Sequence, residues 1–200
     1  MWISWKHLTT DFPSPLTYEQ KVEIFYQQTL GWQLHIADLI ANGGTTFDQI
    51  NISQQGYEVP SIRHSGFAVL HICVSYFELV GSLVSSETGS TKRFCAGVKE
   101  VLPEIFKGTP ADDALLKLLY QGARCGLYHA ARPGAPVGLG QPENGTAVAY
   151  DPGRGKVILS PERLPKALKA HLLKLQAKLM DPANADLRQR FQTRFDKGFL

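Results

Sequence analysis

Leu115-Leu116-Lys117-Leu118-Leu119-Tyr120-Gln121-Gly122-Ala123-Arg124-Cys125-Gly126-Leu127-Tyr128-His129 carries the periodicity of an amphipathic helix. Wound at about 3.6 residues per turn, it puts Leu116, Leu119, Ala123 and Leu127 on one side. Lys117, Gln121, Arg124 and Tyr128 share the other, at helical offsets of 4, 7 and 11. An apolar stripe of this kind must be covered by neighbouring helices, so the segment implies a helical bundle. Just upstream, Thr109-Pro110 offers an N-cap followed by proline at the first helical position, and Asp112 and Asp113 suit the first turn. The predicted helix spans about residues 110–131.

The same periodicity recurs outward from it. Residues 17–41 predict a long helix with Thr17 as N-cap, Glu19 and Glu23 in its early turns, and Asn42-Gly43-Gly44 as its stop. Val22, Phe25, Trp32, Ile36 and Ile40 approximate its inward stripe. Residues 45–62 can hold a short helix before Pro60. The run 64–86 is apolar nearly all round, as expected of a central helix surrounded by its neighbours, and 91–106 predicts a shorter helix interrupted at Pro103.

After the 110–131 helix the pattern changes. Pro133-Gly134-Ala135-Pro136-Val137-Gly138-Leu139-Gly140 is turn-rich and excludes helix. Thr146–Tyr150 and Lys156–Ser160 flank Asp151-Pro152-Gly153-Arg154-Gly155, which predicts a small β-hairpin pairing Val148 and Tyr150 with Val157 and Leu159. Ser160-Pro161-Glu162 opens another helix. Its stripe is Leu164, Leu168, Leu172, Leu175 and Leu179, and Arg163, Lys166, Lys169, Lys174 and Lys178 lie off it. A last helix, about 183–197, has Leu187, Phe191 and Phe195 at intervals of four. The expected architecture is all-α: five to seven helices with one hairpin near residues 146–160. It forms a single domain with a core at about 15–132 and C-terminal helices over 161–198.

Composition narrows the function classes. Two hundred residues at 44% hydrophobic suffice for one full core. Cys73, Cys95 and Cys125 have no CxxC or Cys/His spacing, which points to reduced thiols in a cytoplasmic protein rather than a disulfide framework or a zinc site. No signal-peptide pattern opens the chain. Gly66 to Val84 approaches membrane length, but the glutamate inside it, Glu78, is costly in lipid, so a buried bundle helix is the expected reading. His64 and His71, seven residues apart on that run, are expected to be buried or half-buried polar residues. Trp2 and Trp5 are expected to pack back onto the bundle. Net charge is +3 and unevenly spread. Residues 1–150 hold 10 Lys and Arg against 13 Asp and Glu, whereas residues 151–200 hold 11 against 5. A basic C-terminal quarter can steer an anionic partner, and it is equally the ordinary solvated face of a surface helix.

The chemistry concentrates at Arg124 and His129. Arginine is a permanent cation whose donor fork suits phosphate, and histidine exchanges protons near neutral pH. Cleaving RNA through its own 2′-hydroxyl needs little more than such a pair. Arg124-Cys125-Gly126-Leu127-Tyr128-His129, at the end of a helix that follows a long apolar one, resembles the arginine–histidine motif of the HEPN superfamily of helical RNases and nucleotide-binding domains. The later order of loop, hairpin, Ser-Pro helix and short final helix is similar to that of bacterial members.

That resemblance implies a homodimer with its active site at the subunit interface, Arg124 and His129 as catalytic residues, and no metal or other cofactor. It also allows an antitoxin or nucleotidyltransferase partner. On a regular helix, residues five apart are separated by about 140° and about 7.5 Å along the axis, so one chain alone does not aim both at one phosphate. Tyr128, Gln121 and Lys117 would contact the RNA. Cys125 stands where active members often carry a polar residue, which leaves open a non-catalytic module that binds RNA or nucleotide. A purely structural use is open as well, with Arg124 paired to Glu78 or another carboxylate and His129 at the helix C-terminus.

Overall fold

A computed structural model describes residues 3–46, 58–103, 105–106, 110–151 and 153–198. Helix α1 runs through Tyr18–Thr29, a π turn at Leu30–Leu34, and His35–Asn42. Helix α2 is Gly66–Val84 and α3 is Ser90–Val101. Helix α4 runs through Pro110–Leu119, a second π turn at Tyr120–Cys125, and Gly126–Ala130. Helices α5, Leu164–Met180, and α6, Ala185–Asp196, close the bundle. Among the described residues these six helices carry the architecture, with two small sheets beside them.

Thr17 caps α1 as its sequence implies. Its hydroxyl accepts from the Gln20 amide at 3.2 Å, and the Gln20 side chain accepts from the Thr17 amide at 2.8 Å, a reciprocal capping box. Val22 and Phe25 are buried, yet Trp32 and Ile36 are 46% and 41% exposed, and Ile40 is half-buried. The π turn explains the correction. The His35 amide donates to the Leu30 carbonyl five residues back, which inserts one residue and rotates the inward face of the helix that follows. Leu34 and Ala37 take the core places instead, both fully buried. Trp5 does pack back, with its indole against Gly31; Trp2 lies outside the described residues.

The short helix expected over 45–62 falls largely on residues 47–57, outside the described ones. Its described ends form a two-stranded antiparallel ladder, β1 (Gly44–Thr45) with β2 (Glu58–Val59). Helix α2 is the hub. It packs against all five other helices and contributes Leu70, Val74, Phe77, Val80 and Leu83 to one continuous core. It is the one described helix long and apolar enough to cross a membrane, and more than half of that stretch is buried inside the fold. Two details depart from the sequence reading. His64 lies before the helix at φ 60°, not on it, and both His64 and His71 are exposed. Helix α3 ends at Val101, before Pro103, rather than continuing through it.

The predicted hairpin pairs as its alternation implies. In β4 (Val148–Asp151) and β5 (Lys156–Leu159), Val148 faces Leu159 and Tyr150 faces Val157. It is not alone, however. Val137–Leu139, inside the turn-rich stretch, forms β3 and runs parallel to β5, so the element is a three-stranded sheet in the order β3-β5-β4. Its inner residues Val137, Val148, Val157 and Leu159 join the core. Helix α5 starts at Leu164 rather than at Pro161. Residues 160–163 form a turn held by the Ser160 hydroxyl, which accepts from the Arg163 amide at 3.2 Å. All five leucines of its predicted stripe are buried, each contributing about 1.5–3 kcal/mol by leaving water. Phe191 of α6 is fully buried and packs edge-on against Phe25 and Tyr18 of α1.

Candidate functional site

Helix α4 presents its two faces as the sequence predicts. Leu116, Leu119, Ala123 and Leu127 are buried, Lys117, Gln121, Tyr128 and His129 are exposed, and Arg124 is half-buried. Arg124 lies within the second π turn, where the Gly126 amide reaches back to the carbonyls of Gln121 and Ala123. The chain leaving the helix folds straight back over this turn, and the Gly134 amide donates to the Gly122 carbonyl at 2.7 Å. A side chain at Gly126 would press on the Gly134 amide and the Arg132 carbonyl, so only glycine fits under the returning loop. The turn that carries Arg124 is thus braced from behind.

Arg124 reaches across to α2. Its Nε and Nη2 donate to Glu78 Oε2 at 3.3 and 3.2 Å, both side chains being about one-quarter exposed. Its guanidinium carbon sits 4.4 Å from the centroid of the Tyr128 ring, a cation–π contact. The Tyr128 ring in turn stacks on His71 of α2, with centroids 4.4 Å apart and planes 29° from parallel. A chain of contacts therefore runs Glu78–Arg124–Tyr128–His71 along the edge where α4 meets α2.

His129 follows Tyr128 in the last turn of α4. It makes no hydrogen bond, ion pair or ring contact among the described residues, and none joins it to Arg124. Lys117 and Gln121 lie exposed farther up the same helix. Within one chain the structure brings Arg124 and Tyr128 together and leaves His129 free toward solvent. The pairing of Arg124 with Glu78 is one of the alternatives the sequence left open. The place of His71 in the cluster was not foreseen. The signal was its spacing of seven from Glu78, which puts the two on one face of α2.

A second group of titratable residues runs from the buried Tyr76 and His171 outward to the half-exposed Glu100 and the exposed Lys178. The Tyr76 hydroxyl lies 2.9 Å from His171 Nδ1, the other ring nitrogen of His171 lies 4.0 Å from Glu100, and Lys178 Nζ lies 2.6 Å from the same carboxylate. The His171 ring and the Lys178 ammonium hold the Glu100 carboxyl down to about 2 against the cost of its partial burial. A carboxyl whose pKa falls on folding adds stability above its ordinary value near 4.5 and loses it as pH drops toward 2. Glu100→Gln should therefore lower the thermal midpoint at pH 7 by about 2–4 °C, equivalent to about 1 kcal/mol for a water-accessible network. The gap to wild type should narrow at pH 3. An equal gap at pH 7 and pH 3, measured by calorimetry, would refute this account.

Compared with known proteins, the chain matches no family model, and no curated protein or solved structure is significantly similar to it. The family reading rests on residues 120–129 and the order of elements around them.

Proposed function

We propose that the chain is a HEPN-like endoribonuclease that works without metal as a cytoplasmic homodimer. The observation that supports it most is the braced Arg124–Tyr128–His71 stack on a solvent-facing edge, with His129 free beside it. In this reading the RNA 2′-oxygen attacks the adjacent phosphorus, and the bond to the 5′-oxygen breaks. His129 takes the proton of the 2′-hydroxyl or supplies one to the departing 5′-oxygen. Arg124 stabilises the added charge on the pentacoordinate phosphate, as an oriented guanidinium does most effectively away from bulk water. The Tyr128 hydroxyl, Gln121 and Lys117 hold the flanking strand. The products are a 2′,3′-cyclic phosphate and a 5′-hydroxyl end. A two-fold dimer brings His129 of one copy toward Arg124 of the other, which the spacing within one helix does not do. An antitoxin or nucleotidyltransferase would be a natural partner for such an enzyme.

The test is incubation of purified protein with end-labelled single-stranded RNA in EDTA, with analysis of the new ends. Cyclic phosphate termini support the reading. Intact RNA, or 3′-hydroxyl ends, overturns it.

The ion pair with Glu78 favours a second reading, a non-catalytic RNA- or nucleotide-binding module whose arginine serves mainly to join α4 to α2. Glu78→Gln separates the two. It should lower the thermal midpoint by about 2–4 °C, since about 1 kcal/mol of pairing is lost. If Arg124 serves RNA, freeing its fork should also strengthen RNA binding roughly fivefold, the equivalent of about 1 kcal/mol. Unchanged RNA affinity in a filter-binding titration would assign Arg124 to structure.

A further inference from the structure

A cleft of about 480 Å³ opens where α6 lies across the turn between α2 and α3, and none of Arg124, Tyr128 or His129 lines it. Four cations do: Arg93 from the first turns of α3, and Arg190, Arg194 and Lys197 from α6 and its end. Ser86 and Gln189 add polar groups at its wall. No aspartate or glutamate is among its lining residues. Of the carboxylates near these cations in sequence, Glu87 is used by Lys92 at 2.9 Å and Asp196 by Lys21 at 2.6 Å, and Asp186 is not among the lining residues.

Two of the arginines are anchored to backbone carbonyls by one nitrogen each, which leaves the rest of each fork free. Arg190 Nη1 donates to the Val84 carbonyl at 3.0 Å, and Arg93 Nε donates to the Glu87 carbonyl at 3.1 Å. Arg194 makes no hydrogen bond or ion pair among the described residues. Partial burial, and then the charge of Arg93, push its pKa below the usual arginine value. Like charges gathered without a counter-charge oppose folding, and an anion seated between them relieves that repulsion. Arg188 on the same helix, by contrast, is spent on structure. It lies 3.9 Å over the Tyr18 ring and donates to the Leu179 carbonyl.

The chemistry of the lining selects the ligand. Guanidinium forks match phosphate oxygens in pairs, and several together suit a group with more than one negative charge. No aromatic side chain lines the cleft, so nothing there would stack a base, as a track for single-stranded nucleic acid usually provides. The volume falls within the range of small-molecule sites, roughly 300–1,000 Å³. We propose that this cleft is a binding site for a small phosphate-bearing anion with at least two negative charges, held by Arg93, Arg190, Arg194 and Lys197, and separate from the Arg124 edge.

The test is isothermal titration of the full chain with inorganic pyrophosphate at low salt, repeated with a single-stranded oligonucleotide. Pyrophosphate should bind, and Arg194→Gln and Arg93→Gln should each weaken it at least tenfold. Lys197→Gln, on an exposed residue that supports no core packing, should weaken it roughly threefold, and a single variant of that kind is informative even where an arginine variant folds poorly. Arg124→Gln and His129→Ala should leave pyrophosphate affinity unchanged, which keeps this result distinct from the RNase reading. Absence of pyrophosphate binding overturns the proposal. So does binding that is indifferent to Arg93, Arg194 and Lys197 alike. Oligonucleotide binding that depends on Arg194 while pyrophosphate does not bind would mark a nucleic-acid track instead, and equally overturns it.

Discussion

His129→Ala is expected to cut RNA cleavage by a factor of about 100 to 10,000 while leaving the thermal midpoint unchanged. The range is that of a positioned proton-transfer group. The unchanged midpoint follows from the placement of the side chain, exposed in the last turn of α4 and without a partner among the described residues. The measurement is single-turnover cleavage of labelled RNA in EDTA beside a melting curve. A variant that melts normally and still cleaves at the wild-type rate removes His129 from the mechanism, and the endoribonuclease reading with it. A mixture of His129→Ala and Arg124→Gln chains adds a sharper test of the dimer. If the site combines Arg124 of one copy with His129 of the other, each heterodimer retains one intact site and the mixture regains part of the activity that both pure variants lack.

Gly97→Ala is expected to destabilise the fold by about 3 kcal/mol or more, lowering the midpoint by roughly 6–12 °C for a chain of this size. Helices α2 and α3 cross here with their backbones in near contact. A methyl group at Gly97 would overlap the Phe77 carbonyl, and one at Gly81 would overlap the Arg93 carbonyl, so the two glycines admit each other's helix. The obstruction is backbone on both sides and no side chain can rotate away, which places the cost at the upper end for overpacking. Spreading the helices would also disturb Phe77 and Phe94, whose buried rings meet edge-on at 5.6 Å beside this crossing. A melting curve within 2 °C of wild type would mean that the crossing relaxes at little cost.

How much of this could be read from the chain follows from the range of each interaction. The leucine stripe of α5, the Thr17 cap and the hairpin that sets Val148 and Tyr150 against Val157 and Leu159 were legible because periodicity, capping and hairpin pairing are settled within a few residues. The two π turns were not. Nothing in Leu30–Leu34 forbids an ordinary helix, and the extra residue is tolerated because Trp5 on Gly31 and the surrounding core favour the shifted face. That shift is why Trp32 and Ile36 stand in solvent while Leu34 and Ala37 are buried. Strand β3 was hidden for another reason. Val137–Leu139 lies among glycines and prolines, and its parallel partner lies about twenty residues on, so pairing depends on a neighbour that local composition does not disclose.

The candidate site divides the same way. By itself the sequence determined a helical bundle and put Lys117, Gln121, Arg124 and Tyr128 on the open face of one helix, because helical periodicity assigns faces without knowledge of the neighbours. Only the tertiary structure decided that Arg124 pairs with Glu78 forty-six residues away, that His71 joins Tyr128, and that four cations from α3, α6 and the residue that ends α6 face one cleft. Contacts between helices depend on their crossing and rotation, which are set by how the whole core packs rather than by any one segment.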